Sequence, residues 1–363
     1  MAERVLLLSL ADLSAPSGGR EMLGRINLIL LHDLLGDRLV HIRPRHAKSP
    51  LREAWRGHIN GIDTALIADL LTTIADRGIT QMVIDGSNFG AAIAVVKSRA
   101  PHVRIITIFH NVEARFFWGA FQARRSAKSF AVLAANYLAE RKAVRHSDVL
   151  VTLSARDSAG LRRLYGRAAD TVAPMVLADT TSFVTATSSS RQAYALFVGG
   201  AFYANIAGID WFARVVAPQI GLRVMVVGRG MDVLAQRFAG NDRITLVGGV
   251  DDLAPWYADA ALVIAPIFDG SGMKTKVAEA LMHGKHVVGT PEAFSGYADD
   301  VVATNRCCAD ANAFVRAIDA SLASPPPRYD PAMRALYERD HSPSAARARL
   351  ARILRIPNQT SDA

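Results

Sequence analysis

In the first half of the chain, short apolar blocks alternate with longer stretches of helical period. The blocks VLLLSL, RLVHIR, QMVID, RIITIF, DVLVTL and DTVAPMV are aliphatic and β-branched, and each is separated from the next by a helix-length segment. Continuous apolar runs of this size suit strands buried on both faces, and strands alternating with helices suit an open parallel sheet. A polar stretch, TATSSSRQ, breaks the rhythm, which restarts with YALFVGG, LRVMVVG, RITLVG, ALVIAP, HVVGT and DVVAT. The second run predicts a sheet of the same design without sequence repetition. SPPPRYDP closes it, and helical segments over Ala332–Glu338 and Ser342–Arg355 follow.

This pattern predicts an α/β protein with a first Rossmann-like domain over 1–184, a linker over 185–193, a second Rossmann-like domain over 194–326, and C-terminal helices over 327–363. A chain of 363 residues, half of them hydrophobic, can fill two cores.

Charge adds an asymmetry. Residues 1–180 hold 24 Lys and Arg against 16 Asp and Glu, a net +8, whereas the remainder holds 18 against 17, a net +1. A basic first half is drawn to anionic lipid headgroups, a lipid diphosphate acceptor or nucleic acid, although a merely solubilising surface explains it equally. No apolar run is long enough to span a membrane, and the N-terminus lacks the apolar core and cleavage site of a signal peptide, so the expected place is the cytoplasm or the inner face of its membrane. The only cysteines, Cys307 and Cys308, are adjacent, which suits a reducing compartment and argues against a metal site.

The densest chemistry lies in FDGSGMKTKVAEALMHGKHVVGT, Phe268 to Thr290. Gly270, Ser271, Gly272 and Met273 form a flexible approach to a helix whose first amides favour an anion. Lys274 and Lys276 bring full positive charge to the helix end that ordinarily disfavours it, and a bound diphosphate would explain their position. Glu279, about two turns on, can accept hydrogen bonds from a ribose diol. A simple turn before an amphipathic helix explains each residue singly but not the set.

Other candidates follow predicted strands. Gly18 and Gly19 lie between VLLLSL and an amphipathic helix, at the carboxyl edge where doubly wound sheets bind ligands. The spacing is not that of a dinucleotide fingerprint. His110, in the HNVE after RIITIF, occupies a similar edge and can hydrogen-bond a sugar hydroxyl. Glu113 reads as charging the next helix's first turn, with Glu113 and Asp85 as the acidic candidates should a base be needed. Gly199 and Gly200 follow YALFV, Arg229 follows the next strand, and Val250 follows RITLVG. Asn205 reads as a helix N-cap. In Ala114–Arg125, four aromatic residues mix with arginines; inward core packing is the expected reading, and a membrane-interface patch is the alternative. No nucleic-acid motif accompanies them.

GSGMKTKVAEALMHGKHVVGT resembles the signature of the retaining, nucleotide-sugar-dependent glycosyltransferases of family four, or group one, written G-[SA]-G-x-[KR]-x-K-x-x-E-[AG]. FVGGAFYANIAGIDWF is similar to the opening of their donor-binding domain, and an H-N-x-E after this strand is common among them. The resemblance implies the GT-B architecture, two Rossmann-like domains facing a central cleft, with terminal helices crossing back to the first domain. It implies His110 on the donor sugar, Lys274 and Lys276 on the diphosphate, Glu279 on the ribose, and Gly18 and Gly19 near donor phosphates or acceptor. Ser271 stands where a second glutamate is usual, with Asp269 adjacent. Gly199, Gly200 and Ala201 stand where many members carry an Arg and a Lys, which shifts the phosphate charge onto Lys274 and Lys276. The implied reaction uses no cofactor and no metal, a nucleotide-sugar donor and a lipid-linked or polysaccharide acceptor. A nucleotide-sugar 2-epimerase of the same fold and a non-catalytic basic binding protein are the alternatives.

Overall fold

The computed structural model describes residues 3–12, 19–44, 58–181, 193–270 and 272–357. It divides into two units, one formed by Met1–Val176 with Pro343–Ala363 and the other by Leu177–Ser342.

The first unit holds a parallel sheet of β1 (Val5–Leu8), β2 (Leu39–Ile42), β3 (Gln81–Asp85), β4 (Arg104–Phe109), β5 (Val149–Thr152) and β6 (Thr171–Val172), in the order β2-β1-β3-β4-β5-β6. Helices α1 (Gly19–Leu35), α2 (Thr64–Arg77), α3 (Gly90–Arg99), α4 (Glu113–Arg124), α5 (Ala127–His146) and α6 (Ala155–Tyr165) connect these strands. Alternate β1 side chains point to opposite faces, and both faces are covered. Leu6 and Leu8 pack with Leu70 and Ile74 of α2, while Val5 and Leu7 pack with Leu31 of α1. Local signals set the helix ends: Asp63 caps α2 by accepting from Leu66 N at 2.7 Å, and Gly78 closes it at φ +61°.

The second unit repeats the design with β7 (Tyr194–Val198), β8 (Arg223–Val227), β9 (Ile244–Gly248), β10 (Ala260–Ala265), β11 (Val287–Gly289) and β12 (Arg306–Cys307). Their order, β12-β11-β10-β7-β8-β9, reverses direction between β7 and β10. Around this sheet lie α7 (Tyr203–Val215), α8 (Ala254–Asp259), α9 (Thr275–Met282), α10 (Asp299–Thr304), α11 (Ala311–Ala323) and α12 (Pro331–Asp340).

Three sequence expectations differ from this structure. DVVAT forms helix α10 instead of a strand: Asp299 and Asp300 occupy its first turn, where the dipole favours carboxylates, and the sheet edge passes to Arg306–Cys307. The terminal helices part company. Helix α12 stays with the second unit, where Tyr337 donates to Leu177 O at 2.9 Å and Arg334 to Met282 O at 3.0 Å. Only α13 (Pro343–Leu354) joins the first unit, burying Leu350 and Leu354 beside α1. The third difference concerns the aromatics of α4, because Phe116 and Trp118 are 40% and 50% exposed, and Phe130 on α5 is 57% exposed.

The units divide after Val176, and residues 185–192 of the expected linker lie outside the described residues. Among the described residues no helix is long and apolar enough to cross a membrane.

Candidate active site

In an open parallel sheet, ligands bind beyond the carboxyl ends of the strands where the strand order reverses. In the second unit a cavity of about 320 Å³ occupies that position. Gly199 and Gly200 follow β7, Gly228 and Arg229 follow β8, and Val250 lies beyond β9; Asn205 of α7 with Thr275, Lys276 and Glu279 of α9 complete the wall. The loops after β7 and β8 touch, so a Cβ on Gly228 would fall 1.9 Å from Gly199 O. Only glycine permits that approach.

Lys276 is the buried cation of this cavity. Its Nζ donates to Asn205 Oδ1 at 2.8 Å and lies 5.2 Å from the centre of the Phe197 ring. Burial lowers its pKa to about 8, against the opposing pull of Glu279. Glu279 accepts from Tyr257 Oη at 3.2 Å, and burial raises its pKa while Lys276 opposes the rise. Tyr257 in turn stacks on His283 with ring centres 4.3 Å apart. A cation and a carboxylate thus face one cavity from successive turns of one short helix.

Helix α9 also supplies amides. Val277 N bonds to Lys274 O at 3.2 Å and Ala278 N to Tyr297 Oη at 3.0 Å. Among the described residues, Thr275 N and Lys276 N remain as the open donors of this helix start. They lie where a phosphate is favoured by both hydrogen bonding and the helix dipole.

Lys274 points elsewhere. It forms an ion pair with Glu292 Oε1 at 3.0 Å and donates to Gly272 O at 2.9 Å, so it ties down the loop and does not line the cavity. Gly270 and Gly272 take φ values of +119° and +69°, the left-handed backbone that lets this loop turn. With Met273, which is buried, they shape the helix entrance without lining the cavity. Asp269 accepts from Tyr203 Oη at 3.2 Å, and Ser271 lies outside the described residues.

Residues 192–324 match the family model described as Glycosyl transferases group 1. The second unit is a group 1 glycosyltransferase domain. No curated protein matches the chain. Among solved structures, sucrose-phosphate synthase from Thermosynechococcus elongatus is 16% identical with a TM-score of 0.68, covering 98% of each chain. Anabaena HepE in complex with UDP is 15% identical with a TM-score of 0.68, over 97% of this chain and 99% of that one. WaaG, a glycosyltransferase involved in lipopolysaccharide biosynthesis, is 14% identical with a TM-score of 0.58, over 95% and 94%. At these identities the likeness is one of fold: α/β, two parallel six-stranded sheets with flanking helices, the GT-B class.

In the glycosyltransferase domain, the cavity gathers six of the residues singled out from the sequence, namely Gly199, Gly200, Arg229, Val250, Lys276 and Glu279. It adds Asn205, which sits inside the first turn of α7 while Phe202 takes the N-cap position. Asn205 Nδ2 donates to Gly200 O at 2.9 Å, so one amide side chain fixes both the glycine turn and Lys276. The asparagine in FVGGAFYAN was the available signal. Nothing local marked Tyr257.

His110 belongs to the first unit. Its Nε2 lies 2.8 Å from Asp85 Oδ1, and Asp85 also accepts from Ser9 Oγ at 2.9 Å and Asn27 Nδ2 at 3.1 Å. Although burial opposes it, the His110 charge and these hydrogen bonds hold the Asp85 pKa at about 2. With Nε2 engaged by Asp85, Nδ1 is the ring nitrogen left to meet a ligand. Among the described residues, His110 Nδ1 and Asn111 Oδ1 are buried atoms without a hydrogen-bond partner. Such orphaned atoms at the carboxyl edge of a sheet mark a place for a polar ligand.

The turn that carries these atoms is pinned by Glu140 of α5, which accepts from Glu113 N at 2.9 Å and Ala114 N at 3.1 Å. Gly19 is the first residue of α1, and Gly18 lies outside the described residues.

Proposed function

We propose that the protein transfers a sugar from a nucleotide diphosphate sugar to an acceptor, holding the nucleotide in the cavity of the second unit. The supporting observation is the meeting of Lys276, the open amides of α9 and Glu279 at the switch point of a Rossmann-ordered sheet. Lys276 and the amides of Thr275 and Lys276 receive the diphosphate, Glu279 accepts from the ribose hydroxyls, and backbone groups near Val250 lie beside the base. Arg229 is the further cation at the cavity mouth. In the first unit, His110 Nδ1 and Asn111 Oδ1 are the buried polar atoms offered to a sugar hydroxyl, the role that the family resemblance implies for His110.

In the reaction, the bond from the anomeric carbon to the leaving phosphate oxygen lengthens, and negative charge grows on the diphosphate. Fixed donors aimed at that charge lower the barrier. The acceptor oxygen bonds the anomeric carbon from the same face, and its proton passes to the departing phosphate oxygen, giving a nucleoside diphosphate and a retained glycoside. The resemblance to family four supports retention, and no metal or cofactor enters a step.

A thermal-shift panel of UDP, GDP, ADP, dTDP and CMP with their sugars tests the reading, because a ligand that binds only the native state raises apparent stability. One nucleotide class is expected to stabilise, and transfer to be detectable with its sugar. No shift with any of them overturns the reading. Conversion of the donor without acceptor would instead indicate a 2-epimerase.

A peripheral contact with anionic membrane is the second element of the proposal. Trp118, Phe121 and Phe130 form an aromatic run with ring centres 5.9 and 5.8 Å apart, and exposed Arg115, Lys128 and Arg141 lie on the same two helices. Exposed aromatics among basic residues suit a headgroup layer. This favours a lipid-linked or membrane-associated polysaccharide acceptor at the cytoplasmic face.

A further inference from the structure

The first unit has a cavity of its own, about 420 Å³, at the edge of its sheet opposite His110. It lies between the amino ends of β4, β5 and β6 and helix α13, and Arg104, Arg349, Arg352 and Arg355 line it together with Asp148 and Asp170. The two carboxylates are already engaged. Asp148 pairs with Lys97 at 2.8 Å and accepts from Ile105 N at 2.8 Å, while Asp170 pairs with Arg167 at 3.0 Å and accepts from Leu150 N at 2.8 Å. Among the described residues, Arg104, Arg352 and Arg355 make no ion pair.

Four arginines therefore line one concavity, three of them without an ion pair among the described residues, and its two carboxylates pair with Lys97 and Arg167, which lie outside the lining. Arg104 Nη1 donates to Ile353 O and Gln81 Oε1, both at 2.8 Å, which fixes its orientation. Burial and the neighbouring Arg355 charge lower its pKa, and Asp148 and Glu3 offset only part of that fall. Such convergence is costly without a counter-charge, and the fork of a guanidinium matches the oxygens of a phosphate.

We propose that this cavity is a second anion site, which takes a phosphate-bearing ligand independently of the donor nucleotide. Its position at the amino edge of the sheet sets it apart from the carboxyl-edge places where catalysis is expected in such folds. The ligand is a phosphate ester or diphosphate, free in solution or presented as a lipid headgroup.

Isothermal titration of the full chain with inorganic pyrophosphate tests this. The parent protein is expected to show two sites, and R352Q/R355Q to lose one of them, with affinity there falling at least about tenfold. Both arginines are exposed, so the substitutions leave the core intact, and circular dichroism checks that they do. Unchanged pyrophosphate binding by R352Q/R355Q overturns the proposal. Lys276→Ala should remove the other site alone, so failure of the donor reading is seen separately. Flotation with phosphatidic acid vesicles separates the sources: loss in R352Q/R355Q assigns a lipid phosphate, and retention beside lost pyrophosphate binding assigns a soluble one.

Discussion

Lys276 of α9 reaches Asn205 of α7 across 71 residues of sequence, Nζ to Oδ1 at 2.8 Å. The bond orients a buried ammonium between a glycine turn and a helix start, and the uncharged amide leaves the cation its full charge for a ligand. Lys276→Ala is expected to raise the barrier to transfer by about 2 to 4 kcal/mol, by analogy with other preorganised charge donors. Steady-state kinetics of the variant, with Asn205→Ala as its companion, measure this; unaffected turnover in both would remove Lys276 from the mechanism.

The same lysine carries a pH signature. With its pKa near 8, it loses its charge above that pH, so nucleoside diphosphate affinity is expected to decline as pH rises through about 8. The unliganded protein behaves oppositely. The unfolded chain holds the proton up to the ordinary value of 10.5, so this residue's contribution to stability grows between those pH values. Titrations at pH 7 and 9 with parent and Lys276→Met measure the first effect.

Lys274 makes the contrasting case. Because it closes the loop through Glu292, Lys274→Ala is expected to cost about 1 to 3 kcal/mol of stability by removing a cation that pairs with a half-buried carboxylate. Its effect on nucleotide affinity should be smaller than that of Lys276→Ala. Denaturant unfolding of Lys274→Ala, Glu292→Ala and the double variant reports the coupling; an additive double variant would mean that the pair does not act as a unit.

Asp85 should be visible in acid. Its pKa lies at about 2 instead of 3.8, so it favours the folded state above about pH 4, and that contribution is lost as pH falls through about 2. The contribution is on the order of 2 kcal/mol. Asp85→Asn should flatten the acid limb of the stability curve. An unchanged limb would show that the Asp85–His110 contact adds nothing to the native state.

The aromatic run predicts a membrane phenotype. Replacing Trp118 and Phe130 with Ser should reduce flotation with anionic vesicles severalfold while leaving stability nearly unchanged, since both side chains are mostly exposed. Equal flotation of parent and variant would assign the basic surface to solubility alone.

The sequence determined both sheets, because an apolar run buried on two faces has few other uses, and eleven of the twelve apolar blocks contain the strands β1 to β11. It also determined the helix at Thr275 with its Lys276 and Glu279, since glycine turns and misplaced charge are local properties. Tertiary structure decided the rest. DVVAT became a helix because acidic residues in its first turn and a neighbouring edge strand outweighed its β-branched content. Helices α12 and α13 separated because one contacts α9 and the other α1, a choice made by complementary surfaces far apart in sequence. Lys274 and Lys276 read alike along the chain, yet Glu292 claims one and Asn205 orients the other. Periodicity fixes which face of an element is apolar, but which carboxylate or amide a charge meets is set only when distant segments fold together.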